Sequence, residues 1–184
     1  MWPYSAPSSV LILLCAIAVV AMGTSPARAG TEAVARDKIL SADVLAPLSG
    51  VYSVEYEQAV STTSSCWIGA HYLSDRVDRI RVAGGGIAVG YHGYPAGRVL
   101  SGLFMGPFVS LSLVSTSSRD DPAQGPLIWA GIDLGWILRW GRFTCAPSIQ
   151  VGYASVRLES QKRIVKLKYE GEATGYSIRL GMMF

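Results

Sequence analysis

His71 and His92 are the only histidines in this 184-residue chain, and they are its best candidates for acid–base chemistry. Imidazole exchanges protons near neutral pH, and it can activate a serine hydroxyl when a carboxylate orients it. Serines are numerous, but none sits in a recognised local motif beside either histidine. The sequence therefore predicts no catalytic site, and His71 and His92 remain as candidates without a supporting motif.

Other chemical motifs are absent from the sequence. The Gly84-Gly85-Gly86 run lacks the Lys-Ser/Thr pair and the helix of a phosphate-binding loop, so it is interpreted as a flexible entry to a strand. No metal-ligand spacing or nucleophile elbow occurs, and no cofactor is expected. The net charge of +3 is too balanced, and the basic residues too dispersed, to indicate nucleic-acid binding.

The elements that must position these residues are strands. From Leu127 to Tyr153 the residues alternate strictly between apolar and small or polar, with Trp140-Gly141-Arg142 as the turn. Successive side chains of an extended chain point to opposite faces, so this pattern predicts a long β-hairpin. Pro107 and Pro147 fall within predicted strands, where a β-bulge is expected.

The same alternation continues through the rest of the chain after residue 47. It predicts eight antiparallel strands, which lie near residues 49–59, 65–74, 86–94, 101–114, 127–140, 143–153, 163–170 and 176–184. Residues 30–47 are interpreted as a lead-in whose end can begin the first strand. The fold class predicted is all-β: an antiparallel up-and-down transmembrane β-barrel of about eight strands, spanning 48–184.

The polar face distinguishes a membrane barrel from a soluble one. A soluble exterior should be rich in charged residues, yet only 16% of the chain is charged and the polar faces are mainly Gly, Ser, Ala and Thr. Such small residues suit the narrow interior of an eight-stranded barrel, where side chains fill the lumen. The scattered charges are therefore expected to form a paired polar network in the lumen, made of Glu55, Glu57, His71, His92, Asp133, Arg139, Lys166 and Arg179.

The last strand carries a recognisable pattern of alternating apolar residues that ends in an aromatic one: Tyr176, Ile178, Leu180, Met182 and Phe184. It resembles the assembly signal of bacterial outer-membrane proteins. Three further stretches, Gly90-Tyr91, Gly102–Phe108 and Ala130–Gly135, with Ser49-Gly50, look like those of small, uncharacterised barrels related in shape to the OmpA transmembrane domain and to Ail-like adhesins. The resemblance implies insertion by the outer-membrane assembly machinery and contact with outer-membrane lipids.

The N-terminus has the features of an export signal. An apolar run from Val10 to Met22 precedes Ala27-Arg28-Ala29, which predicts a signal peptide of residues 1–29 cleaved before Gly30. The first nine residues contain no Lys or Arg, so an uncleaved anchor or a different start codon stays an alternative. Cys66 and Cys145 follow the predicted cleavage site. They begin strands on opposite walls of the barrel, so both are expected to be free thiols.

The predicted function is that of a non-enzymatic outer-membrane barrel without an open pore, in a structural or surface-interaction role with an unidentified surface or periplasmic partner. The alternatives are a lipid-modifying barrel hydrolase similar to lipid A deacylases, and a soluble lipocalin-like binding barrel. The predicted strands also leave short connections where outward loops are usually long. Either the outer loops are short, or the strands differ in extent or number. The outward connections concerned are 60–64, 95–100, Gly141 and 171–173.

Overall fold

The fold is a closed antiparallel β-barrel with up-and-down topology, as the alternation predicts. A computed structural model describes residues 37–77, 80–117, 123–160 and 166–184. The predicted signal peptide lies outside the described residues. Among those that are described, no helix is long and apolar enough to cross a membrane.

Each strand pairs with its neighbours in chain order, and β1 pairs with β8 to close the barrel. A short 3-10 turn, Ala46–Ser49, lies between the first two strands. The strands are β1 Lys38–Asp43, β2 Val51–Ala59, β3 Ser64–Val77, β4 Ile80–Gly93, β5 Gly102–Ser117, β6 Ala123–Trp140, β7 Phe143–Ser160 and β8 Lys166–Met183.

The first strand corrects the interpretation of residues 30–47 as a lead-in whose end can begin the first predicted strand, because Lys38–Asp43 form a separate strand of the barrel. β1 is hydrogen-bonded on both sides, to β2 and to β8. Its alternation is hard to recognise because Ile39 is an apolar residue that points into the lumen, where it is 3% exposed, while Leu40 points outward and is 53% exposed. With apolar residues on both faces, a six-residue strand has no clear period-two signal.

The end of the chain contains a compensating error. The strand predicted at 163–170, of which the structure describes 166–170, and the strand predicted at 176–184 belong to one strand, β8. The count of eight is nevertheless right, because the prediction omitted β1. Residues 171–175, Gly-Glu-Ala-Thr-Gly, have the composition of a turn, yet they pair without interruption with Gln150–Ala154 of β7. The ladder to a long neighbouring strand overrides local turn propensity here.

The prolines interrupt pairing without a bulge, contrary to expectation. At Pro107 the β4–β5 ladder has a gap between the pairs Gly90–Phe108 and Gly93–Met105, and the register is the same on both sides of the gap. Pro147 lies in a similar gap between β6 and β7. A proline removes one donor, but no extra residue is inserted, so the inward and outward faces do not exchange.

The barrel has two ends, and the connections that the structure describes are short. The near end holds both chain ends of the barrel, Lys38 and Phe184, and the connections 60–63, 94–101 and 141–142. The far end holds the 44–50 connection and the last residues of β3, β5 and β7. The prediction placed the connections 60–64, 95–100 and Gly141 at the end of the barrel opposite the chain ends. This is wrong: they lie at the same end as Lys38 and Phe184, because the prediction omitted β1. Gly141 forms the β6–β7 turn with φ of 63°, as predicted.

The two faces of the wall have opposite chemistry. Ile132, Leu134 and Trp136 of β6 point outward and are 47%, 41% and 50% exposed, whereas Asp133 between them points into the lumen and is fully buried. The parity derived from the hairpin therefore assigns the inside and the outside of this barrel correctly.

Cys66 and Cys145 are free thiols, which confirms the prediction that they do not form a disulfide.

An apolar plug fills the lumen at the near end. Its buried side chains come from five strands and from the 94–101 connection, and they are Ile39, Tyr94, Leu100, Phe104, Ile137, Ala146 and Met183. Leu100 adopts φ of 57°, which is rare for a residue with a side chain, and is only 1% exposed. The connection thus accepts an unfavourable backbone conformation to bury an apolar side chain in the barrel.

The plug generates a stability prediction. Leu100→Ala leaves a void among fully buried neighbours, so the free energy of unfolding should fall by about 2–5 kcal/mol. Leu113→Ala is the matched control, because Leu113 points outward and is 71% exposed. Urea unfolding in detergent measures both variants. Equal losses for the two would contradict a packed plug.

Candidate functional site

The lumen next to the plug contains a buried ion cluster, defined as Glu55, Glu57, His92, Asp133 and Arg179. Alternation brings all five inward from β2, β4, β6 and β8. His92 and Asp133 are fully buried, and Glu57 and Arg179 are 4% and 6% exposed. Charges at this depth require partners, because water cannot solvate them.

Glu57 is the acceptor on the β2–β4 side of the cluster. Its Oε1 accepts hydrogen bonds from the hydroxyl of Tyr94 at 2.6 Å, from the hydroxyl of Ser65, and from Nδ1 of His92 at 2.9 Å. Burial, followed by the adjacent Glu57 carboxylate, raises the pKa of Tyr94 above its ordinary value. Tyr94 therefore remains a donor at neutral pH.

His92 links the two carboxylates across the lumen. Its Nε2 lies 3.4 Å from Oδ2 of Asp133, while its Nδ1 bonds to Glu57. Ionised carboxylates only accept, so both contacts are satisfied when His92 carries a proton on each ring nitrogen. In this arrangement His92 is a structural cation between Glu57 and Asp133.

Arg179 completes the cluster on the opposite side. One terminal nitrogen donates to Oε1 of Glu55 at 2.6 Å, and the other lies 3.3 Å from Oδ2 of Asp133. Gln150 also donates to Oδ2 of Asp133 at 3.4 Å. Three carboxylates thus surround two cationic groups, and shared hydrogen bonds offset the loss of hydration.

Phe104 joins the ion cluster to the apolar plug. Its ring is fully buried and packs against the ring of His92, with 4.3 Å between centroids and 39° between the ring planes. The guanidinium of Arg179 lies over the same ring, 5.3 Å from its centroid. An aromatic face attracts cations, so Phe104 stabilises both positive groups, and it also belongs to the apolar plug.

The predicted polar network separates into parts. The structure brings together Glu55, Glu57, His92, Asp133 and Arg179, but His71 contacts another partner. Arg139 lies outside the cluster: it is exposed at the near end, beyond the plug residue Ile137, and its Nε donates to the carbonyl of Gly141 at 3.3 Å. The side chain of Lys166 lies outside the described part of the chain.

His71 forms a separate pair with Ser112. Its Nε2 lies 2.7 Å from the Ser112 hydroxyl, across the intervening strand β4. Gly86 makes this contact feasible, because a Cβ at that position would lie 2.6 Å from Nε2 of His71. The sequence shows no local motif for this pair, since the two residues are brought together only by strand register.

Some members of the site escaped prediction from the sequence. Ser65 and Gln150 have the inward parity, but many inward serines and amides do not join the cluster, so parity alone could not select them. Tyr94 follows the last residue of β4 and turns inward with the 94–101 connection, so the alternation along the strand does not predict its direction.

Among the described residues, no group of three His, Cys, Asp or Glu is arranged to hold a metal ion.

The residues expected to act as an assembly signal lie on the outer face of β8. Tyr176, Leu180 and Met182 are 68%, 49% and 48% exposed. Phe184 follows the strand, where its amide donates to the carbonyl of Lys38 at 3.1 Å. Its ring packs near Tyr56, with 6.4 Å between centroids.

Comparisons with known proteins add no relative. No protein-family model, no curated protein and no solved structure matches this chain.

Removal of one cation should reveal the coupling within the cluster. Arg179→Met leaves the fully buried Asp133 and the half-buried Glu55 without their shared partner, and we expect the free energy of unfolding to fall by about 3–5 kcal/mol. Adding Asp133→Asn should restore part of this loss, because one uncompensated charge disappears. Urea unfolding of the single and double variants measures the coupling.

Arg139→Met is the matched control, because Arg139 is exposed at the rim. It should change the free energy of unfolding by no more than about 0.5 kcal/mol. A loss for Arg179→Met as small as that of the control would show that the cluster contributes nothing to stability.

Proposed function

We propose that this chain is a small bacterial outer-membrane β-barrel protein with a structural or surface-interaction role and without an open pore. The observation that carries the proposal is the contrast between an apolar outer wall and a lumen that contains the charges. In water the opposite distribution is favoured, because exposed apolar area is unfavourable and buried charge is costly.

The composition of the outer wall favours a lipid environment, because a wide band of this wall carries no charged side chain. The outward residues of β7 from Phe143 to Tyr153 and of β8 from Tyr176 to Phe184 include no charged side chain. The same holds for β6 from Ile128 to Trp140. On β8 the band ends toward the far end, where Glu170 and Glu172 are exposed. A soluble barrel would carry charges across this surface.

Aromatic residues lie near both edges of this band. Trp140, Phe143 and Phe184 lie at the near end, and Tyr153 and Tyr176 lie toward the far end. At about 3.3 Å per residue and a strand tilt of about 40°, the stretch from Phe143 to Tyr153 rises about 25 Å. That height equals the apolar band of outer-membrane barrels, whose edges carry aromatic girdles.

The plug and the ion cluster support the absence of a pore. Phe104, Leu100 and Met183 are at most 1% exposed, so side chains occupy the lumen at the near end. Eight-stranded barrels have an interior that side chains can fill. We further propose export through a cleaved signal peptide, and insertion by the outer-membrane assembly machinery acting on the Tyr176–Phe184 pattern. We also propose that the protein contacts an unidentified partner at the cell surface or in the periplasm.

A charge introduced on the outer wall by substitution tests whether this wall faces lipid or water. Leu134→Arg places a charge near the middle of the apolar band and should lower the free energy of unfolding in lipid vesicles by about 2–4 kcal/mol. Gln124→Arg is the matched control on the same strand, because Gln124 is exposed near the far end. It should have little effect. A negligible effect of both changes, within about 0.5 kcal/mol, would contradict membrane insertion.

Fractionation tests the location directly. The protein should be recovered with the outer membrane, and unheated samples should migrate faster than boiled samples on a detergent gel because the closed barrel stays folded. Recovery in the soluble periplasm without a heat-dependent shift would favour the lipocalin-like alternative.

One observation favours a second candidate function, the barrel hydrolase. Ser112 and His71 are within hydrogen-bond distance, at 2.7 Å, as a nucleophile and its general base must be. In such a reaction the Ser112 oxygen attacks an ester carbonyl while His71 takes its proton. The proton passes to the departing alcohol, and water then releases the acyl group from the serine.

Covalent labelling tests this candidate. A fluorophosphonate should label Ser112, and Ser112→Ala and His71→Ala should each reduce labelling at least about 100-fold, the range expected for loss of a catalytic base. Ser110→Ala is the matched control, because Ser110 is another inward serine on the same strand. Absence of labelling, or equal labelling of all variants, would show that the pair is only a structural hydrogen bond.

A further inference from the structure

The lumen on the far side of the ion cluster is not filled. It contains a cavity of about 630 Å³, open toward the far end beside the 3-10 turn. Its floor includes Glu55 and Arg179, and the His71–Ser112 pair lies on its wall. Cavities of about 300–1,000 Å³ are typical of small-molecule sites.

The wall of this cavity is largely apolar and aromatic. Phe108 and Trp129 pack edge to face at 4.9 Å between ring centroids, and Leu127 lies on the same strand as Trp129. The Trp129 ring lies over Gly175, where a Cβ would come within 2.6 Å of it. The Trp129 ring thus occupies the space beside Gly175, where a side chain is absent, and the cavity stays open.

We propose that this cavity binds a neutral, largely apolar small molecule that carries one hydroxyl or carbonyl oxygen. The apolar body lies against Phe108, Trp129 and Leu127, and the oxygen bonds at the His71–Ser112 pair. A serine hydroxyl both donates and accepts, so it suits either oxygen type. This site depends on the lumen alone and not on what surrounds the barrel.

The charges at the cavity argue for a neutral ligand. Arg179 is already paired with Glu55 and Asp133. Asp43, at the cavity mouth, accepts from the amides of Leu45 and Ala46 at 2.8 and 3.0 Å. Of the Lys and Arg side chains that the structure describes, Arg179 alone lines the cavity, and both of its terminal nitrogens already contact carboxylates. The acidic groups of the ion cluster would repel a bound carboxylate or phosphate.

Fluorescence quenching by 10-bromodecanol tests the proposal. Trp67 and Trp129 line the cavity, so the test uses a background in which Trp136 and Trp140, the other tryptophans that follow the proposed signal peptide, are replaced by Phe. Bromine quenches indole on contact. We expect quenching that saturates near one equivalent, and recovery of fluorescence when 1-decanol displaces the probe. Decanoate and decane should displace it less well, because one is anionic and the other has no oxygen.

Two matched pairs of variants locate the site. Ala88→Phe fills the cavity and should abolish saturable quenching, whereas Val89→Phe, on the opposite face of the same strand, should leave it unchanged. Ser112→Ala should weaken displacement by decanol but not by decane, and Ser110→Ala should affect neither. Fluorophosphonate reactivity is a separate readout, so binding is decided whether or not the pair is catalytic.

The proposal is overturned if quenching rises linearly without saturation and is equal in Ala88→Phe and Val89→Phe, because the probe then reaches the indoles only through detergent. If Ala88→Phe does not fold, displacement by decanol in the tryptophan background decides the question. Failure of decanol to restore fluorescence overturns the site, and equal displacement by decane overturns the role of the oxygen.

Discussion

The pairing of β1 with β8 is the constraint on which the rest of the structure depends. Five residue pairs, from Ile39–Met183 to Asp43–Arg179, close the sheet, and closure divides all side chains into an inside and an outside. An open sheet would leave both faces accessible and two edges unpaired. Because the barrel is closed, a charge such as Asp133 has no access to bulk water and must find its partners across the lumen.

The lumen is therefore built in layers along the barrel axis. Apolar side chains fill the near end, Phe104 supports the cations above them, the ion cluster pairs its charges, and a cavity lies beyond it toward the far end. Each layer depends on its neighbour: the 94–101 connection supplies Leu100 to the plug and Tyr94 to Glu57. This arrangement leaves room for a ligand in the far half of an eight-stranded barrel whose near half is packed with side chains.

The proposed functions use different surfaces of one molecule. Membrane residence depends on the outer wall, where β6, β7 and β8 present an uncharged band. Ligand binding and hydrolysis depend on the lumen, at His71 and Ser112. Inward and outward side chains alternate along each strand, so residues one position apart, such as Ala88 and Val89, separate the two kinds of function experimentally.

Alternation by itself determined the fold class, the faces and the inward direction of most cluster residues, because parity is a local property of an extended chain. It could not identify β1, where Ile39 points into the plug, nor the continuity of β8 through its Gly-Glu-Ala-Thr-Gly stretch, where pairing with β7 overrides turn propensity. Only the tertiary structure decided which inward groups meet. Strand register brings His71 to Ser112 and His92 to Glu57, and it leaves Arg139 at the rim. Register is set by long-range pairing between strands, so no local pattern contains it.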